Sequence, residues 1–135
     1  MRIEALDMTE KAIPRPTDAE LAILRVLWAR GPATVREVHD TLSATNASGY
    51  TTVLKLMQIM TEKGLVVRDE SQRAHVYEAS HSEQRMQRHI VADIVERAFG
   101  GSPAKLVMQA LSGRKASAAE LNEIRKLLDK MEGDK

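Results

Sequence analysis

The chain has no cysteine and few aromatic side chains among its 135 residues. The absence of cysteine excludes a disulfide scaffold, a cysteine-ligated zinc site and a thiol nucleophile. Because aromatic residues make up only 3% of the chain, we expect aliphatic side chains and methionine to fill the core, and no stacking platform for single-stranded nucleic acid. No apolar run is long enough for a membrane span, and the first residues do not resemble a signal peptide. We therefore expect a cytoplasmic protein.

A strong charge of either sign is also missing. The formal net charge is +1. The first 80 residues contain ten Lys or Arg against eleven Asp or Glu, a net charge of −1, so the sequence predicts no bulk basic surface. Any affinity for DNA must come from the local placement of a few cations, helix N-termini and backbone amides against phosphates.

The residue patterns that support catalysis or metal binding are absent as well. The four histidines, His39, His75, His81 and His89, include no pair at i, i+4 spacing and no accompanying acidic cluster, so we expect no metal site. The sequence has no nucleophile–base arrangement, no credible pair of catalytic carboxylates and no Gly-x-Ser-x-Gly motif. We predict a protein that is not an enzyme and uses no cofactor.

Residues 48–79 carry the most informative pattern of the chain. Within them, apolar residues recur at i, i+3, i+4 and i+7. This spacing predicts a helix over residues 49–63 with one buried face, formed by Val53, Leu56, Met57 and Met60. A glycine follows directly and stops the helix.

A β-hairpin is predicted immediately behind this helix. Its strands cover residues 65–69 and 74–79, and residues 70–73 form a polar turn. A helix followed by such a hairpin resembles a winged-helix protein, in which the hairpin is the wing. The sequence therefore predicts a winged helix-turn-helix.

The exposed side of the predicted helix begins with hydroxyl groups and has a cation one turn later. This composition suits insertion into the major groove of DNA; the alternative is a structural helix with a solvated polar face. Arginines near the hairpin turn would reach phosphate or the minor groove, or else only solubilise the hairpin. The predicted DNA-binding residues are Ser48, Tyr50, Thr51, Thr52, Lys55, Arg68 and Arg73.

Helix starts are marked by a Ser or Thr followed three residues later by Glu, the pattern of a capping box. The four pairs are Thr17/Glu20, Thr34/Glu37, Ser80/Glu83 and Ser117/Glu120. The further helices are predicted at residues 18–29, 35–44, 82–99, 103–111 and 118–131. The helix at 35–44, a short turn and the helix at 49–63 form the helix-turn-helix.

The helices after residue 80 are too short and too apolar on one face to stand alone in water. Their apolar stripe fits a core within the chain or an interface between two chains, and the lack of an independent core favours a homodimer. The predicted dimerisation residues are Ile90, Ile94, Leu106, Leu111, Leu121, Ile124 and Leu128.

The predicted fold is thus mostly α with a small β-hairpin: a winged helix-turn-helix followed by C-terminal dimerisation helices. Residues 1–16 are expected to form a disordered leader. Residues 17–80 are expected to form the winged-helix DNA-binding domain, and residues 81–135 a helical dimerisation domain.

Several runs of residues resemble the penicillinase-repressor (BlaI/MecI/CopY) family of winged-helix transcriptional repressors. The matching runs are residues 17–24 with Leu27-Trp28, 34–38, 50–53, 62–65 and 73–77, and the resemblance extends over residues 16–131. It implies a homodimeric repressor that binds an inverted-repeat operator in double-stranded DNA through the helix at 49–63. It also implies dimerisation through the C-terminal helices.

The resemblance further implies a mode of induction. Family members commonly respond to a partner membrane metalloprotease-sensor, whose signal leads to cleavage in the C-terminal part. Penicillinase repressors carry Asn-Phe at the cleavage point, and the hypothetical counterpart here is Gln109-Ala110. Copper-responsive members end in a cysteine cluster, so the absence of cysteine excludes that sensing mode.

Two other functions stay open from the residues alone. One is a winged-helix module that binds protein, which the near-zero charge favours. The other is a regulator that senses a small molecule, for which the sequence offers no pocket signature and no evident ligand.

Overall fold

The computed structural model describes residues 13–45 and 48–133. These residues form six helices and three strands. In chain order they are α1 (Asp18–Arg30), β1 (Ala33–Thr34), α2 (Val35–Leu42), α3 (Tyr50–Lys63), β2 (Val66–Asp69), β3 (Val76–Ala79), α4 (Glu83–Ala98), α5 (Pro103–Gly113) and α6 (Ala118–Gly133). This mostly helical architecture with a small antiparallel sheet confirms the predicted fold class.

The chain divides into two compact units between Val91 and Ala92, whereas the sequence suggested a boundary after residue 80. The first unit includes the beginning of α4 because Met86 and Ile90 of that helix pack on its core. Met86 is only 1% exposed. Ile90 was predicted as a dimerisation residue. In the structure its side chain is partly buried against the core of the first unit.

Aliphatic and methionine side chains fill the core of the first unit, as the shortage of aromatic residues predicts. Most of the least exposed side chains come from α1, α2, α3 and the segment that follows α3; they include Ile23, Leu24, Val38, Val53, Met57, Met60, Leu65 and Tyr77, with Met86 added from α4. Leu56 is partly buried and packs against this core. The amphipathic pattern of α3 was therefore a reliable guide to its buried face.

The sheet has three strands in the order β1-β3-β2, and both pairings are antiparallel. Tyr77 of β3 lies opposite Ala33 of β1 on one side and opposite Arg68 of β2 on the other. The sequence predicted only the β2–β3 hairpin and missed β1. A strand of two residues gives no alternating pattern to detect, because strand signals need about four residues or more.

Reciprocal capping boxes occur at three of the four predicted pairs. Both hydrogen bonds are present at Thr17/Glu20, Thr34/Glu37 and Ser117/Glu120. The prediction for Ser80/Glu83 was wrong. The backbone N–H of Ser80 donates to Leu65 O at 2.9 Å, which keeps Ser80 at the end of the hairpin, and Ser82 Oγ accepts from the Arg85 N–H at 3.1 Å.

Glu20 joins the start of α1 to the end of α3. Among the described residues it is the only buried charged side chain, 2% exposed. Its Oε1 accepts from the Thr17 N–H at 2.9 Å and from Lys63 Nζ at 2.7 Å. Burial raises the pKa of Glu20, but the hydrogen bonds from Lys63 and Thr17 outweigh it and hold the pKa below its ordinary 4.5.

The predicted leader needs a correction at its C-terminal end. Ile13, which the sequence assigned to a disordered segment, is 3% exposed and belongs to the core of the first unit. An isolated apolar residue followed by two prolines gives no periodic signal, so its burial could not be predicted. Residues 1–12 of the expected leader lie outside the described residues.

Beyond Val91 the described helices leave apolar side chains at the surface of the single chain. Neither α5 nor α6 has a buried residue within its described length. The most exposed large apolar side chains there are Met108 at 64%, Met131 at 58% and Leu127 at 57%. Within residues 13–45 and 48–133, no helix is long and apolar enough to cross a membrane.

Candidate nucleic-acid interface

The first turns of α3 present polar side chains at the surface. We refer to Tyr50, Thr51, Thr52 and Lys55 as the polar start of α3; all four are exposed. Between them, Val53 is 1% exposed and points into the core. The periodicity that buries the apolar face therefore turns three hydroxyl groups and one ammonium group toward the solvent.

Glycines bracket this helix. Gly49 is the N-cap residue and has extended backbone angles, while the preceding Ser48 is half-buried. Gly64 ends the helix with a φ of +86°, in the left-handed region that favours glycine, and its N–H donates to Met60 O and Thr61 O. The helix N-terminus carries partial positive charge, which favours an anion at the polar start of α3.

The ring of Tyr50 is held from α2. The Cζ atom of Arg36 lies 4.4 Å from the centroid of the Tyr50 ring, within the range of a cation–π contact. His39, one turn further along α2, meets the same ring edge-on, with centroids 6.0 Å apart and an interplanar angle of 67°. His39 Nδ1 in turn lies 3.1 Å from Asp40 Oδ1.

Sequence reasoning missed this contact between α2 and α3. Arg36 and His39 are three residues apart, so they share a face of α2, and this spacing was the available signal. It did not identify Tyr50 as the partner, because which face of α2 meets the start of α3 depends on how the two helices pack.

The wing turn spans residues 70–75, and its arginine is exposed. Arg73 lies in this turn, where it was predicted. The turn is ordered by Asp69, whose Oδ1 accepts from the Ser71 N–H at 2.9 Å. Hydrogen bonds from the backbone and the side chain of Ser71 lower the pKa of Asp69. The Asp69 carboxylate therefore stabilises the turn.

Arg68 has partners within the sheet. Its guanidinium lies 2.7 Å from Glu70 Oε2, and a hydrogen bond with the Tyr77 side chain, together with Glu70, raises its pKa. These contacts hold Arg68 beside Tyr77 and Glu70, so the geometry favours Arg73 over Arg68 as the arginine of the wing that is available to a ligand.

No group of three or more potential metal ligands occurs anywhere in the part of the chain that the structure describes. The chemistry available at the polar start of α3 is therefore hydrogen bonding by hydroxyl groups and ion pairing by exposed cations.

Residues 16–130 match the sequence model of a family described as the penicillinase repressor. The match covers nearly the whole chain, from before α1 into α6. The chain belongs to the penicillinase repressor family. This confirms the resemblance seen in the residues, and with it the prediction of a winged-helix transcriptional repressor that is not an enzyme.

Two curated relatives of this family member have names that describe a transcriptional regulator or a repressor. The transcriptional regulator BlaI of Mycobacterium tuberculosis is 32% identical over 123 residues, which cover 89% of this chain and 87% of that protein. The penicillinase repressor of Bacillus licheniformis is 25% identical over 119 residues, which cover 88% of this chain and 93% of that protein.

Two solved structures are similar to a part of the chain. One is the solution structure of the DNA-binding domain of the repressor BlaI, with a TM-score of 0.49 and 27% sequence identity over 54% of this chain and 89% of that chain. The other is the solution structure of the monomeric form of Bacillus licheniformis BlaI in complex with the blaP half-operator, with a TM-score of 0.48 and the same identity and coverage.

The predicted dimerisation residues of this family member differ in exposure within the single chain. Ile94, Leu111 and Leu128 are exposed, by 37%, 36% and 54%. Leu106, Leu121 and Ile124 are half-buried, and Ile90 packs partly on the first unit. Both Gln109 and Ala110, the hypothetical cleavage point, are exposed on α5.

Proposed function

We propose that this chain is a homodimeric transcriptional repressor that binds an inverted-repeat operator in double-stranded DNA in the cytoplasm. The observation that carries the proposal is the polar start of α3, where Tyr50, Thr51, Thr52 and Lys55 are exposed next to a buried apolar face. A helix with this profile fits the width of the major groove.

The chemistry of each predicted DNA-binding residue suggests its role. Thr51, Thr52 and Lys55 face base edges or adjacent phosphates, while Ser48 and Tyr50 position the start of the helix. Arg73 touches the DNA backbone from the wing. Arg68 takes part less directly, because Glu70 and Tyr77 already hold its guanidinium. Hydroxyl groups and lysine suit these roles, since phosphate contacts fix the register and base contacts provide the specificity.

The dimer is supported by the apolar side chains that α5 and α6 leave exposed in a single chain. Covering Leu111, Leu128 and their neighbours with the same surface of a second copy removes them from water, and a twofold arrangement needs only one self-complementary interface. Two copies present two α3 helices, which matches two half-sites of an inverted repeat.

We propose that relief of repression follows proteolysis in α5, to which the signal of a partner membrane metalloprotease-sensor leads. Gln109 and Ala110 are exposed but lie inside a helix, so this turn must open before a protease can bind it as an extended strand. Cleavage would detach α6 from the rest of the chain. The dimer would then be lost, and one bivalent binding event would become two weak ones.

The decisive experiment is a gel shift with duplex DNA from upstream of the gene for this chain, at moderate salt with excess mixed-sequence competitor. We expect a shifted complex that contains two chains per duplex. No complex at micromolar protein would contradict the proposal. That result would favour the second candidate function, a winged-helix module that binds protein. The net charge of +1 supports this alternative, because DNA-binding domains are commonly basic.

A further inference from the structure

The first turn of α2 places a cation beside the polar start of α3. Arg36 is the second residue of α2 and is exposed. Its Cζ atom lies 4.4 Å from the centroid of the Tyr50 ring. The contact joins the two helices of the helix-turn-helix at the end of α3 that is proposed to enter the groove.

We propose that Arg36 is a phosphate-contacting residue of the DNA-binding surface and that Tyr50 holds its guanidinium in position. This inference rests on the proposed function and adds a contact from α2 to it. In a helix-turn-helix the first helix crosses the DNA backbone, so the partner of an exposed cation on α2 is a phosphate rather than a base.

Stacking leaves the hydrogen-bonding capacity of Arg36 available. A cation–π contact uses the charge of the guanidinium and consumes none of its five N–H donors as conventional hydrogen bonds, so they stay available to an anion. Some arginines are paired with carboxylates, as Arg30 is with Glu37 at 3.3 Å and Arg97 is with Asp93 at 3.1 Å. Arg36 has no carboxylate partner among residues 13–45 and 48–133.

The place of Arg36 in its helix is unfavourable for a purely structural role. The positive end of the helix dipole lies at the first turn of α2, where a cation is repelled and an anion is stabilised. Glu37 already supplies that anion and caps the helix with Thr34. A cation kept in this turn and stacked on Tyr50 is better explained by an external anion.

Tyr50 acts as a positioning residue. His39 contacts its ring edge-on with centroids 6.0 Å apart, so two side chains of α2 hold one ring. A guanidinium already stacked on that ring loses less conformational freedom when it binds phosphate. Because the stacking uses the ring and not the hydroxyl group, phenylalanine should replace Tyr50 in this role and leucine should not.

The test uses the full-length chain and one mixed-sequence duplex, because a phosphate contact does not depend on sequence. Affinity is measured between about 50 and 200 mM salt. Arg36→Gln should weaken binding about fivefold at 150 mM salt and reduce the salt slope by about 0.9 for each chain bound. The matched control is Arg88→Gln, which removes the same charge from an exposed position on α4 and should leave the slope unchanged.

The role of Tyr50 is tested by a double-mutant cycle. Tyr50→Phe should retain the slope of the unmodified chain, and Tyr50→Leu should reduce it. In the Arg36→Gln background Tyr50→Leu should reduce the slope no further. Additive effects of Arg36→Gln and Tyr50→Leu on the slope would overturn the positioning role. Thermal unfolding of each variant checks that the fold is retained.

The outcomes separate this inference from the proposed function. If the unmodified chain binds duplex and Arg36→Gln behaves like Arg88→Gln, the phosphate contact is wrong and the repressor proposal stands. An Arg36→Gln variant that binds more weakly with an unchanged slope also overturns the contact, because the loss is then not ionic. If the unmodified chain binds neither this duplex nor the upstream DNA, the proposed function itself fails.

Discussion

The affinity of this chain for DNA depends on individual cations, because its net charge is only +1. Some cations are already held by carboxylates, as Arg68 is by Glu70. Lys55 and Arg73 are exposed and have no ion-pair partner within the described residues. At the scale of single residues, affinity for DNA therefore depends on where a few free cations lie and not on bulk charge.

Lys55→Ala should weaken binding to every duplex by a similar factor if its partner is a phosphate. Losing one ionic contact flattens the salt slope by about 0.9 for each chain on the DNA. Fluorescence titrations at several salt concentrations measure this. Lys126→Ala on α6, where the lysine is exposed and lies 3.5 Å from Glu123, is the control and should leave the slope unchanged. An unaltered slope for Lys55→Ala would remove Lys55 from the backbone contacts.

Glu20→Gln should lower the stability of the first unit and weaken its response to acid. The folded pKa of Glu20 is below its ordinary 4.5, because hydrogen bonds from Lys63 and Thr17 outweigh burial. Its charge therefore stabilises the fold above about pH 4.5, and this contribution is lost as the pH falls through the folded pKa. Glutamine still fits the capping box, so the expected loss at pH 7 is about 1 to 2 kcal/mol.

Urea unfolding followed by the fluorescence of Trp28, the only tryptophan, reports this loss because Trp28 lies in α1. The control is Glu62→Gln, an exposed carboxylate of α3. Equal pH dependence of the Glu20→Gln variant and the unmodified chain between pH 7 and pH 3 would show that the Lys63–Glu20 pair does not contribute as proposed.

Elements whose signal lies within one segment were predictable from sequence. The buried face of α3, the stop at Gly64 and three capping boxes follow from spacing of three and four residues. The elements and contacts that were missed depend on distant partners. β1 exists because Ala33 and Thr34 pair with β3, Ile13 belongs to a core that includes residues distant in the sequence, and the contact of Arg36 with Tyr50 joins two helices. Local spacing holds no information about such packing.

The end of α3 offers a test at the scale of an element. Gly64 has a φ of +86°, and a Cβ there would meet nothing within 4 Å, so only backbone conformation opposes a side chain. Gly64→Ala should therefore cost about 1 kcal/mol or slightly more. Gly64→Asn should cost less, because asparagine tolerates the left-handed region. Urea unfolding with Trp28 fluorescence compares the two, and equal losses would contradict the conformational explanation.

At the scale of the whole molecule, the two units have different proposed tasks. The first unit carries the polar start of α3 and the wing on a well-filled core. The second leaves apolar side chains of α5 and α6 exposed among the residues that the structure describes. A single winged helix reads a short half-site and binds it weakly, so the proposed repression at cellular concentrations requires the proposed dimer.

Leu128→Asp should separate these two tasks. Leu128 is 54% exposed in the single chain, so a carboxylate there is solvated in the monomer and harms mainly the dimer, where it would be buried without a partner. Sedimentation should show a monomer, and affinity for a full operator should fall about a hundredfold or more, while affinity for one half-site stays the same. Asn122→Asp, exposed on the same helix, should remain dimeric. If Leu128→Asp also remained dimeric and kept full operator affinity, the interface would have to lie elsewhere on the chain.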